Sequence, residues 1–229
     1  MWPAFLCGMV WQILQFMPQE WSFAKQLTDP LTTAFILIGA WCYNRLHSAE
    51  AKILLAALIL FVITGAIFAF LPFSYFIAGL AVFLLAHVVL CAINFNRLRA
   101  AWRSGCRPRL FMVILAAICY IGLVGFVLQT VLPQVRDAVL ANAIIAYTAV
   151  ITVMAISAAI TAAIRYQSRW WWAAIGGGMM AISDACLALR MFSGISEAWV
   201  GYAIMPLYWG GIICYVASAA PARQENKAS

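Results

Sequence analysis

Apolar residues run along this chain in long blocks with short polar breaks between them. The blocks cover 2–17, 30–46, 51–71, 75–96, 110–132, 138–164, 170–192 and 198–219. A helix that crosses the hydrocarbon core needs about 20 apolar residues, with a range of about 17 to 25. The pattern therefore predicts eight transmembrane helices, the first of them short. Alternation suited to a β-barrel is absent, and open strands would leave their backbone groups unpaired in lipid. The expected fold class is all-α, a polytopic transmembrane helix bundle. Pro18, Pro30, Pro72, Pro108 and Pro133 fall at expected helix ends, where proline is tolerated. Pro206 falls inside the last helix and is expected to kink it. The breaks are short, so consecutive helices are expected to be antiparallel neighbours. Residues 1–219 read as one transmembrane domain without internal repeats, and 220–229 as a polar cytoplasmic tail.

Composition narrows the class. Of 229 residues, 66% are hydrophobic and 9% charged, and the mean hydropathy is +0.97. A soluble domain carries about 25% charged residues, so this is an integral membrane protein. Residues 1–17 lack a basic start and a small-residue cleavage site, and read as a helix rather than a signal peptide. Eleven basic residues fall on one side of the expected topology and three, Lys25, Arg136 and Arg190, on the other. The positive-inside rule then puts both termini in the cytoplasm, and the expected location is the inner cell membrane. The net charge of +7 reads as topology and contact with anionic lipid. The basic stretch NRLRAAWRSGCRPR is a loop between spans, and no nucleic-acid partner is expected. Trp102 and Trp170–Trp172 fit interfacial belts. GGG at 176–178 fits close helix packing.

The seven cysteines form no C-x-x-C pair, and His47 and His87 lie in no metal-binding pattern; neither metal nor cofactor is expected.

Few ionisable groups remain at depth. Asp184 lies in the seventh helix, His87 near the middle of the fourth, and Asp29 at the expected start of the second. An Asp at a helix centre costs roughly 2.5 to 3.5 kcal/mol on the insertion scale, so a partner, a cavity or a reaction is needed to offset it. With alternating helix directions, Asp29, Thr64, Asn142, Asp184 and Tyr208 share the outer half of the bundle, with His87 deeper. A polar cavity opening outward is expected there. Each residue also has a structural role open to it. Asp184 can bond across helices, His87 and Tyr208 can pack, and Asp29 can cap the second helix beside Pro30. Arg190 can snorkel to the interface.

The segments GLAVFLLAHVVLCAINF (79–95) and GGGMMAISDACLAL (176–189) resemble two segments of the YhhN family of multi-helix membrane proteins. DPLTT (29–33), the Tyr147 to Met154 spacing and Tyr208 add weaker likeness, and the resemblance extends over about residues 29 to 215. Characterised members of that family are lysoplasmalogenases. The resemblance thus implies hydrolysis of a vinyl-ether lysophospholipid to a fatty aldehyde and a glycerophospho-headgroup, in the bilayer. Such a reaction needs an acid and a second, water-activating or charge-stabilising group. The implied acid is Asp184, with Asp29 and His87 as candidates for the second group. Tyr208, Asn142, Tyr147, Thr33 and Ser183 are the implied substrate- or water-orienting residues. The chain departs from the family pattern in two places. In FVITGAIFAFL, Gly65 is kept but Ala66 stands where the family carries Asp. Asp29 stands where the family usually has Lys. Two other functions stay open at this stage: a non-catalytic lipid-binding or structural protein that keeps the fold, and a small transporter using intramembrane Asp and His.

Overall fold

The computed structural model describes residues 2–17, 22–44, 48–107, 109–164, 169–194 and 197–219. Pro18, Pro108, Arg45, Arg165 and the tail at 220–229 lie outside the described residues. Among those described, the regular structure is helical: α1 (Trp2–Leu14), α2 (Ser22–Asn44), α3 (Ala49–Phe70), α4 (Phe76–Arg103), α5 (Leu110–Val131), α6 (Ala138–Ala163), α7 (Trp170–Phe192) and α8 (Ala198–Ser218). Short 3₁₀ turns beside Pro72 and Pro133 join α3 to α4 and α5 to α6. Ser48 and Asp137 cap α3 and α6 through side-chain oxygens that accept from Ala51 N and Val139 N.

Six helices, α3 to α8, are long and apolar enough to cross a membrane. The two others depart from the sequence expectation. α1 has 13 residues, about 20 Å of helix, which is short of a full crossing. α2 begins at Ser22, eight residues before the expected start, and runs straight through Pro30. Asp29 is therefore not its cap but sits within it, one-third of the way along. Pro30 has no amide hydrogen for Gln26 O one turn earlier. The hydroxyls of Thr32 and Thr33 donate to the carbonyls of Thr28 and Asp29 at 2.7 and 3.3 Å. Gly65 of α3 packs beside the proline, where a methyl group would lie in ordinary contact, 3.5 Å from Pro30 Cα.

α8 contains Pro206, as expected. A proline at 206 removes the amide that would bond Tyr202 O one turn earlier. Gln12 Nε2 of α1 donates to that carbonyl at 3.2 Å, so α1 repairs the backbone of α8.

Consecutive helices pack together with one exception. α4 and α5 make almost no contact; α4 packs against α6 instead, and α5 leans on α6 and α7. The antiparallel neighbours expected from short loops therefore fail at this pair, and the gap matters below. α7 and α8 are the most intimately packed pair. A methyl group on Gly176 would lie 2.6 Å from Gly211 O and 3.0 Å from Cys214 Cβ, a backbone approach that only glycine permits.

The two ends of the bundle differ. At one end Arg97 of α4 is buried, paired with Glu50 of α3, and donates to Ser218 Oγ of α8 at 2.9 Å. The sequence reading had placed Arg97 in a loop beyond a helix ending at 96. α4 instead continues to Arg103, because nothing before Gly105, with its left-handed φ of 77°, breaks it. Trp170 is likewise buried rather than interfacial, packed on Ala101 and Ile164 with Arg97 Cζ 6.0 Å from its ring. Trp102, Trp171 and Trp172 are exposed as a belt requires. One layer further in, Asn94 Nδ2 donates to Met154 O, Ser157 Oγ and Tyr215 OH at 3.1 to 3.2 Å. The opposite end, where Phe192 of α7 meets Phe76 of α4, holds the cavities.

Candidate active site

The polar groups at that end converge on Asp184. Tyr147 of α6 donates its phenol hydrogen to Asp184 Oδ2 at 2.9 Å. His87 Nε2 of α4 faces the same oxygen at 3.8 Å, beyond a direct hydrogen bond. The other imidazole nitrogen, Nδ1, lies 2.8 Å from Phe83 O. A carbonyl only accepts, so Nδ1 carries a hydrogen and, in neutral His87, Nε2 presents its lone pair toward Asp184. The imidazole is fully buried, boxed edge-on by Phe61, Phe83 and Tyr147 at centroid distances of 5.3, 4.7 and 5.7 Å. Ser183, beside Asp184, donates to Ile204 O of α8 at 2.8 Å and fixes the register of α7 on α8.

Two spaces meet at Asp184. The larger is a groove of about 800 Å³ between α4, α5, α6 and α7. Its walls are almost wholly apolar, with Leu80, Val124, Val127, Ile144 and Ala188 among them. It occupies the gap left where α4 and α5 fail to pack, and it lies on the most lipid-exposed helix, α5. The smaller is a cavity of about 390 Å³ between α2, α3, α7 and α8. Asp29, Thr64, Ser183 and Tyr208 supply its polar lining. Asp184, Phe68, Phe83 and Leu187 line both spaces. The carboxyl thus stands where an apolar groove joins a smaller chamber whose mostly apolar wall carries a second carboxyl, Asp29.

Asp29 shares that chamber with Asp184. Its Oδ1 is buried without a hydrogen-bond partner. The indole of Trp209 is within electrostatic reach of it, yet Trp209 Nε1 also closes no hydrogen bond of normal geometry. Tyr208 lies between the acids, within electrostatic reach of both and with its hydroxyl beside Thr33. Thr64 Oγ1 and His87 Nε2 are further buried polar atoms with no partner. Buried polar atoms normally find partners; two of those without one, Asp29 Oδ1 and Thr64 Oγ1, belong to residues that line the chamber.

The sequence-based candidates sort accordingly. Asp184, Asp29, Tyr147, Tyr208 and Ser183 line the two spaces. His87 and Thr33 line neither; they are buried behind that wall, His87 facing Asp184 and Thr33 beside Tyr208. Asn142 does not: it is exposed on α6 and lines neither space. It precedes Tyr147 by five residues, about 140° around a helix, so both cannot face the same site. Ala66 is half-buried and also lines neither space; α3 reaches the chamber through Thr64, Gly65 and Phe68. Phe83 and Leu187, which form the shared wall, carried no signal in the sequence because they are ordinary apolar residues in apolar helices.

No curated protein and no solved structure matches this chain. The model of the YhhN family matches residues 24–219, from the first turn of α2 to the end of α8. That span includes every residue of the Asp184 site, and this multi-pass membrane protein belongs to the YhhN family.

Proposed function

We propose that the protein is a membrane hydrolase that cleaves the vinyl-ether bond of lysoplasmalogens. The observation that carries this reading is the position of Asp184, at the junction of an apolar groove and a smaller chamber that holds a second carboxyl. A single-chain lipid can use both: an alkenyl chain in the groove, with its reactive ether beside the two acids. The gap between α4 and α5 gives the chain a path from the bilayer.

In this reading Asp184 is the acid. It delivers a proton to the alkenyl carbon remote from oxygen. The π pair becomes the new C–H bond, leaving an oxocarbenium ion at the carbon that bears oxygen. Water adds to that carbon and gives up a proton to a carboxylate. The hemiacetal then expels the glycerol oxygen, which leaves protonated as the alcohol, and the alkenyl chain leaves as an aldehyde. Asp29, across the chamber, receives the water's proton and offsets the positive charge of the ion. Tyr208 and Thr33 orient the water. Tyr147 holds Asp184 in position, and the proton that Asp29 took from the water passes through chamber water and His87 Nε2 back to Asp184, which restores both acids. Ala66 removes no group from the wall of this chamber, because position 66 does not face it.

A second reading, lipid binding without turnover, is favoured by the loss of the family's Asp at Ala66. Hydrolysis of a lysoplasmalogen in deuterium oxide, with the product reduced as it forms, decides between them. Aldehyde carrying one deuterium beside the carbonyl carbon supports the proton transfer described. Absence of aldehyde from folded protein leaves lipid binding alone.

A further inference from the structure

We propose that Arg190, seconded by Lys25, is a phosphate-recognition rim beside the chamber, and that the group it takes is the phosphate ester of a lipid headgroup. The proposal rests on the reading above and names how that substrate is held.

Arg190 lies in the last turn of α7. It follows Leu187 by three residues and Ser183 by seven, so it continues the stripe of α7 that lines the chamber. The facing stripe of α8 comprises Ile204, Met205 and Tyr208, and Gly201 continues it by one turn in the same direction. The two extensions meet. A side chain on Gly201 would overlap the Arg190 guanidinium, with Cζ 2.6 Å from the position of a β-carbon. The guanidinium thus lies against α8 at Gly201, one turn beyond the α8 residues that line the chamber. Six residues separate Arg190 from Asp184, about 9 Å along the axis. Helical side chains lean toward the N-terminus, which brings the cation closer still.

Arg190 is exposed, so its guanidinium rests on α8 with donors still open to a ligand. Among the described residues Arg190 forms no ion pair, the two present being His87–Asp184 and Arg97–Glu50. Lys25 sits on α2 one turn before Asp29, and its Nζ donates to the Met17 backbone carbonyl at 3.0 Å, with no carboxylate. The chain order puts three basic residues, Lys25, Arg136 and Arg190, at this end of the bundle, and two of them lie one helical turn from chamber residues, Lys25 before Asp29 and Arg190 after Leu187. A guanidinium offers a planar fork of donors matched to two oxygens of one phosphate.

The test measures binding, so that it does not depend on turnover. A fluorescent lysophosphatidylethanolamine and the corresponding monoacylglycerol, which lacks phosphate, are titrated into the full-length protein in detergent. Arg190→Gln is expected to weaken the phospholipid roughly 10- to 100-fold, the usual worth of a charge-assisted contact. Arg190→Lys is expected to keep part of that affinity. The monoacylglycerol is expected to change less than about twofold. An equal loss for both lipids, or no loss for either, overturns the proposal. Displacement of the phospholipid by inorganic phosphate at similar concentration would also overturn it, assigning the rim to a free anion. If the phosphate preference follows Arg190 while no vinyl ether is ever cleaved, the rim stands and the hydrolase reading alone fails.

Discussion

Tyr147 donates to Asp184 across 2.9 Å between α6 and α7, and the same acceptor oxygen faces His87 from α4. α6 thereby holds one carboxyl oxygen, and α4 faces it. The carboxyl borders the two spaces. This is how a bundle offsets the cost of an acid at membrane depth.

Tyr147→Phe is expected to keep the ring packing on Phe83 and lose only the hydrogen bond. Turnover should drop about 10- to 100-fold through kcat, with KM unchanged, and stability should fall by about 1 kcal/mol. Steady-state aldehyde release and thermal unfolding in detergent measure the two effects. A rise in KM with kcat intact would move Tyr147 from positioning the acid to binding substrate.

Asp29→Asn is expected to lower turnover at least about 10-fold, because the chamber then has one carboxyl. Adding Ala66→Asp should not restore it, since position 66 faces neither space. Recovery of activity in the double variant would show that α3 can supply the second carboxyl and would contradict the assignment of Asp29.

Ala188→Trp places an indole in the apolar groove. The expected result is a KM raised at least about 10-fold for long-chain substrates, with much less change for short-chain ones. Equal effects at all chain lengths would mean the groove does not hold the chain.

At the other end of the bundle, Glu50→Gln leaves the Arg97 guanidinium buried without its carboxylate. Breaking a fully buried pair costs about 3–5 kcal/mol. Glu50 is 27% exposed, so a loss of about 2 kcal/mol is expected. Replacing both, with Arg97→Met and Glu50→Leu, should recover most of it. Thermal unfolding of the three variants makes the comparison, and turnover per folded molecule should be unchanged in all of them.

Hydropathy was enough to read the helices α3 to α8, because the bilayer rule depends only on length and apolar content. It was less reliable where the site intrudes. α2 is more polar than its neighbours because it carries Lys25 and Asp29, and Pro30 looks like a boundary in sequence. In the bundle, α2 continues through that proline beside Gly65 of α3, and Asp29 moves from a cap to the chamber wall. Intramembrane charge identified Asp184, and the family resemblance drew attention to Tyr147 and Tyr208. Asn142 failed because polarity in an outer half-helix says nothing about facing. The groove was not legible at all. It arises from α4 packing on α6 instead of α5, a choice made by side-chain fit among residues of similar hydrophobicity.

The most direct measurement is fatty aldehyde release from a lysoplasmalogen by the detergent-purified protein, with Asp184→Asn assayed in parallel. The expected result is turnover by the native chain and its loss in the variant, with both folded to the same extent. Equal release by the two proteins would contradict the assignment of Asp184 as the acid. No release by either, while a competent homologue works in the same assay, would contradict the hydrolase and leave a lipid-binding protein.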